Sequence, residues 1–152
     1  MGLIVDTNVF IAFERRDEPI DLAPWEASAD VCIRMVTMSE LLMGVHRADT
    51  EMRRQRRSAF VEAILAGLRV VDFTREIGRV HAEIYADLAR RGQLIGAHDL
   101  IIAATARHHE LSLLTDNVDE FSRVPGLQVI AFVDNSRLVV PEAGFIFQDW
   151  QY

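Results

Sequence analysis

The chain contains no lysine: all 16 of its cationic side chains are arginine. That absence excludes mechanisms. A P-loop nucleotide site needs its phosphate-binding lysine, and Schiff-base chemistry needs a lysine amine. A phosphate-accepting response-regulator domain, which also has acidic strand ends, ordinarily uses a lysine as well. None of these can operate here in its usual form. Cysteine is nearly absent too. The single Cys32 excludes an internal disulfide and any cysteine-based zinc site. It lies in an apolar run, where a buried small hydrophobe is expected. No window approaches the roughly 18 consecutive apolar residues of a membrane span. The start of the chain enters a strand at once, without a basic segment or cleavage site, so no signal peptide is expected. Together these features point to the cytoplasm.

Positive charge is also short, with 16 basic against 23 acidic residues and a net charge of −7. Domains that bind nucleic acid are usually basic. Two features soften the objection. Acids that bind cations are neutralised on site, and the basic residues are grouped: Arg53, Arg54, Arg56 and Arg57 share one stretch, with Arg47 just before it. Such a group is either a solvated helix face or a phosphate contact. With 152 residues, half of them hydrophobic, the chain can form one core and is too small for two ordinary domains.

Short apolar runs alternate with helical patterns. Leu3–Val5, Val31–Val36, Leu68–Val71, Leu111–Leu114 and Leu127–Ala131 read as strands. Helices are expected from Val9 to about Arg15 with Thr7 or Asn8 as cap, and from Met38 to about His46 with Thr37 as cap. Others are expected from about Thr50 to Ala66, from Thr74 as cap to about Arg90, and from Asp99 to His109. Gly67 and Gly92 close two of them. Asn117–Phe121 is a turn or short helix. Asp17–Ala29, with two prolines and many acids, reads as a loop with room for a helical turn at Trp25. Alternating strands and helices predict an α/β fold with a mostly parallel five-stranded sheet covered on both faces. Val133–Tyr152 stands apart, with the aromatic pairs Phe145/Phe147 and Trp150/Tyr152. It is an extension, either an added strand or an arm.

Four acids stand beside apolar runs. Asp6 ends Leu3-Ile4-Val5 and Asp116 follows Leu113-Leu114-Thr115; Glu40 opens Leu41-Leu42-Met43 and Asp99 opens Leu100-Ile101-Ile102. A carboxylate against a core element costs several kcal/mol unless compensated. In a parallel sheet, strand carboxyl ends and following helix starts share one edge, where ligands bind. All four acids can therefore converge. Each has a plain structural alternative. Asp6 can be a turn residue and Asp99 an N-cap. Asp116-Asn117 can make a turn, and Thr37-Met38-Ser39-Glu40 fits a capping box. Converged, two carboxylates about 4 Å apart repel by roughly 4 kcal/mol at an effective dielectric of about 20. A divalent cation is the natural remedy, and oxygen ligands favour Mg²⁺ or Mn²⁺. Metal-assisted phosphodiester hydrolysis is the reaction such a site suits. The histidines show no zinc-protease spacing. His81 lies on an apolar helix face, and His98, beside Asp99, is the one expected near the pocket.

Ile4-Val5-Asp6-Thr7-Asn8-Val9, Ser39-Glu40-Leu41, Gly96-Ala97-His98-Asp99-Leu100-Ile101-Ile102-Ala103-Ala104 and Leu114-Thr115-Asp116-Asn117 through Phe121 resemble the PIN domain. They are especially similar to VapC toxins of bacterial toxin–antitoxin pairs. The resemblance covers about Leu3 to Ala131, so residues 1–132 are expected to form the PIN domain and 133–152 an extension. It implies a three-layer α/β/α fold and a Mg²⁺- or Mn²⁺-dependent endoribonuclease acting on tRNA or ribosomal RNA. It also implies a homodimer and a small VapB-like antitoxin over the active-site groove. Asp6, Glu40 and Asp99 match three acidic motif positions, with Asp6 and Asp99 as the metal ligands. Asp116 is the choice for a fourth position, with Asn117, Asp119 and Glu120 close enough to share or replace it. Thr7, Asn8 and Thr115 match polar supports. Two rival readings are a catalytically silent RNA- or partner-binding module and a DNA nuclease of the flap-endonuclease type. Nothing in the chain resembles the latter's DNA-clamping segments.

Overall fold

The computed structural model describes residues 2–16, 30–133 and 137–139. The expected Asp17–Ala29 loop, the turn at Trp25 and the aromatic pairs near the end of the chain lie outside them. In chain order the elements are β1 (Gly2–Val5), α1 (Thr7–Arg16), β2 (Asp30–Arg34), α2 (Met35–His46), α3 (Glu51–Gly67) and β3 (Arg69–Val71). There follow α4 (Arg75–Arg90), α5 (Ala97–His108), β4 (Ser112–Thr115), α6 (Val118–Phe121), β5 (Val129–Val133) and β6 (Arg137–Val139).

The sheet runs β3-β2-β1-β4-β5-β6. Its first five strands are parallel, as expected, and β6 adds to the β5 edge antiparallel, pairing Ala131 with Val139. That segment of the extension is therefore an added strand. Side chains alternate across each strand, and both faces are covered. Leu3, Val5, Ile33 and Leu114 pack with Val9 and Phe10 of α1, Leu41 of α2 and Ile64 of α3. Ile4, Cys32 and Leu113 face the other way, onto Ile77, Ile84 and Leu88 of α4 and the alanine-rich body of α5. The result is the three-layer α/β/α arrangement. Each fully buried large side chain, such as Phe10, contributes about 1.5–3 kcal/mol. Among the described residues no helix is long and apolar enough to cross a membrane.

Local signals end several helices where expected. The Thr50 and Thr74 hydroxyls accept hydrogen bonds from the Arg53 and Ile77 amides, opening α3 and α4. Gly92, at φ +64°, closes α4, where the Gln93 amide donates to the Leu88 carbonyl at 2.9 Å. This left-handed turn suits glycine.

Three helix starts differ from expectation. α1 begins at Thr7, so neither Thr7 nor Asn8 is its cap; the Asp6 carboxylate accepts the Thr7 amide at 2.8 Å instead. α5 begins at Ala97, which puts Asp99 inside the first turn rather than at the cap. α2 begins at Met35, and β2 stops at Arg34 instead of Val36. Thr37 therefore lies inside the first turn and is no cap; its hydroxyl bonds Arg34 three residues before it and, across the fold, Thr7. The capping box that would have absorbed Glu40 does not form.

Candidate active site

The connections β1–α1–β2–α2–α3–β3 run to one side of β1, and the chain then crosses back to place β4 on the other side. The crevice above β1 and β4 is the topological switch point, where α/β sheets bind ligands. Asp6 leaves β1 there, and Asp116 leaves β4.

Asp6 is only 5% exposed, and each of its oxygens is held. Oδ1 accepts the Thr7 amide, and Oδ2 accepts the Thr115 hydroxyl at 2.8 Å. The Thr115 oxygen in turn receives the Asn8 side-chain amide at 3.1 Å and the Asn117 backbone amide at 3.0 Å. These bonds, and the Arg34 charge, favour the carboxylate, yet burial outweighs them and raises its pKa, with Glu40 adding to the rise. Asp99 enters from the first turn of α5. Burial pushes it up to about 6, and the nearby acids Asp6 and Glu120 add to the rise. A Cβ on Gly96 would stand 2.9 Å from Asp99 Oδ2, so the glycine makes room for this carboxylate.

Glu40 comes from the middle of α2. Its Oε2 accepts the Thr7 hydroxyl, and its Oε1 lies 2.6 Å from His98 Nδ1. An ionised carboxylate only accepts, so Nδ1 carries the hydrogen. The Thr7 and Thr37 hydroxyls are 3.2 Å apart. Thr7 gives its one hydrogen to Glu40 and so receives that of Thr37.

Behind these groups lies Arg34, 2% exposed. Its Nε donates to Thr37 Oγ1 at 3.2 Å, one Nη donates to the His98 carbonyl, and the other lies 3.8 Å from Glu40 Oε2. Burial lowers its pKa, against the charges of Glu40, Asp6 and Asp99. Sequence reasoning missed this residue. The signal was available: a lone charge inside the apolar run Val31–Val36.

The fold thus gathers Asp6, Glu40, Asp99 and Glu120, with Thr7, Asn8, Thr115 and His98 around them. Asp116 is exposed at the rim, tied to the pocket by the Asn8 amide. Asp119 is exposed. Of the arginine group, Arg53 pairs with Asp49 and Arg54 with Glu51, while Arg57 spans Glu14 of α1 and the Gly44 carbonyl.

Residues 3–127 match the PIN domain family. The chain belongs to that family. It is 38% identical over 130 residues to Ribonuclease VapC1 of Rickettsia felis, covering 86% of this chain and 96% of that protein. It is 33% identical over 130 residues to the tRNA(fMet)-specific endonuclease VapC of Salmonella typhimurium, covering 85% and 96%. Within the PIN domains it therefore stands with the VapC proteins. Among solved structures, DNA-bound VapBC from Salmonella typhimurium matches with a TM-score of 0.75 at 28% identity, covering 85% of this chain and 96% of that one.

The donor set of this PIN domain suits a hard divalent cation. Asp6 and Asp99 repel one another, and both resist ionisation in its absence. Asn8 Oδ1 is a buried oxygen with no hydrogen-bond partner among the described residues. Among those residues no three acid, imidazole or thiol groups form a closed metal cage. An open two-carboxylate site fits Mg²⁺, which keeps several waters and is usually held by one or two carboxylates plus substrate phosphates.

Proposed function

We propose that this protein is a Mg²⁺- or Mn²⁺-dependent endoribonuclease and the toxin of a toxin–antitoxin pair. The observation that carries the reading is the gathering of Asp6 and Asp99 at the switch point, Asp99 pushed toward protonation by burial and by the charge of Asp6, and Asp6 by burial and by the charge of Glu40. Asp6 and Asp99 hold the metal. When bound, the ion supplies Lewis-acid polarisation of a phosphoryl oxygen and activation of water. Thr115 and the Thr7 amide orient Asp6, and Gly96 leaves space for Asp99. Glu40, fixed by Thr7 and His98, orients water at the pocket. Asp116, with Asn117 and Asp119 beside it, lines the rim where the substrate enters. Water attacks phosphorus, the bond to the 3′ oxygen breaks, and the products carry a 5′-phosphate and a 3′-hydroxyl.

RNA as substrate is supported by the ribonuclease relatives, and tRNA by the Salmonella relative named for tRNA(fMet). The VapBC complex among the structural neighbours supports a VapB-like antitoxin as partner. The working unit is a homodimer, and the α3 arginines offer contacts to phosphate or to the antitoxin. The net charge of −7 fits this role: before the cation binds, the pocket itself repels phosphate.

The test is incubation with a tRNA pool in Mg²⁺ or EDTA, followed by analysis of the ends. Cuts that need Mg²⁺ and leave 5′-phosphates are expected. Cuts that persist in EDTA remove the metal, and 2′,3′-cyclic phosphate ends remove the water mechanism. RNA binding without metal-dependent cuts would identify a silent binding module.

A further inference from the structure

Arg34 is a cation where a metalloenzyme of this design would be expected to keep only acids. It is among the largest fully buried side chains of the domain. A guanidinium removed from water needs both hydrogen bonds and opposite charge. Nε and one Nη find bonds in Thr37 Oγ1 and the His98 carbonyl, the other Nη faces Glu40 with no hydrogen-bond partner among the described residues, and the opposite charge comes from Glu40, Asp6 and Asp99. Those contacts tie three parts of the chain together: the end of β2, α2 through Thr37 and Glu40, and the first turn of α5 one residue before Asp99. The planar fork of arginine makes this possible; a lysine would reach as a single point charge.

Glu40 is correspondingly engaged on both oxygens, by Thr7 and Arg34 on one and His98 on the other. Its charge is already answered inside the protein. Asp6 and Asp99 feel the same guanidinium only at longer range, and burial still raises both. We infer that Arg34 is a built-in counter-cation and positioning residue of the acid cluster: it claims Glu40, sets the start of α5 that carries Asp99, and leaves Asp6 and Asp99 as the pair that takes the metal. The price is affinity, because a fixed positive charge close to the pocket weakens every divalent cation that enters.

This inference rests on the metal reading above, and its test separates the two. Mn²⁺ is titrated calorimetrically, without RNA, into the full chain and into Arg34→Met. The variant is expected to bind Mn²⁺ about tenfold tighter or more, since one repelling charge is gone, while RNA cleavage falls as α5 loses its tether. A purely structural arginine gives the opposite sign: the distorted pocket binds Mn²⁺ more weakly. Arg34→Lys, which keeps the charge, is expected to stay within about threefold of the parent chain. Equal or weaker Mn²⁺ binding by a folded Arg34→Met overturns the counter-cation role while leaving the metal reading intact. If neither protein binds Mn²⁺, both fall. If Arg34→Met is unfolded alone, saturating Mn²⁺ should restore its folded circular dichroism by replacing the lost charge; a variant that stays unfolded in Mn²⁺ also overturns the role.

Discussion

Asp99 and Asp119 are both aspartates in the first turn of a helix, on α5 and α6. Helix N-termini favour carboxylates, and from position alone the two are equivalent. Their surroundings differ. Asp99 is half-buried, faces Asp6 and Glu120, and is held up to about 6. Asp119 is exposed, and its backbone carbonyl accepts the Ser122 hydroxyl at 3.0 Å. A place at a helix start therefore does not make an acid functional. In the proposed reading, burial beside other acids does, because there an uncompensated carboxylate is costly.

The largest expected effect breaks this pair apart. Asp99→Asn should lower Mn²⁺-dependent cleavage of a tRNA pool by on the order of 10³-fold, with the fold retained, because an uncompensated charge is removed. Asp119→Asn should stay within about twofold of the parent chain. Comparable losses in both variants, measured as initial rates at saturating Mn²⁺, would show that the distinction drawn from burial is wrong.

A smaller effect lies in stability. A carboxyl whose folded pKa exceeds its unfolded value holds its proton more tightly when folded. Its stabilising contribution is full below the ordinary value of 3.8 and is lost as pH rises through about 6. Asp6 is displaced in the same direction. In EDTA, the melting temperature should therefore carry a downward component as pH rises from about 4 to about 7. Asp99→Asn should be flatter across that window, and Asp119→Asn should follow the parent chain. Mn²⁺ at neutral pH should restore the loss. Parallel curves for the parent and Asp99→Asn would place Asp99 in water rather than among acids.

The features legible in the sequence were those decided locally. Thr50, Thr74 and Gly92 act on amides and carbonyls within a few residues, and each does what its position predicts. The strands were legible because their apolar runs are short and bounded. Thr37 misled because its hydroxyl, besides bonding Arg34, serves a residue distant in sequence: Thr7 is 30 positions away. With that, the helix start moved to Met35 and the capping-box reading of Glu40 failed. Arg34 was overlooked for the same reason. Its meaning comes from Glu40 and from the His98 carbonyl 64 positions away, and neither is visible within its own run. The gathering of Asp6, Glu40 and Asp99 at one edge was readable because sheet topology, rather than side-chain detail, decides it.

The smallest effect sharpens the comparison at the fourth acidic position. Asp116 is at the end of β4, the natural place by sequence, but it is exposed and engaged by Asn8. Glu120, one turn further along, is the acid whose charge reaches Asp99. If closeness to the Asp6–Asp99 pair decides function, Glu120→Gln should cost about tenfold in cleavage, the scale of an outer-shell partner of a metal ligand. Asp116→Asn, at the rim, should cost about twofold. Mn²⁺ titration of both variants adds a second readout, since removing a charge beside Asp99 weakens the cation's attraction and removing one at the rim scarcely does. The reverse order, with Asp116→Asn the more damaging, would mean that substrate or metal draws the rim inward on binding, and would return the fourth position to Asp116.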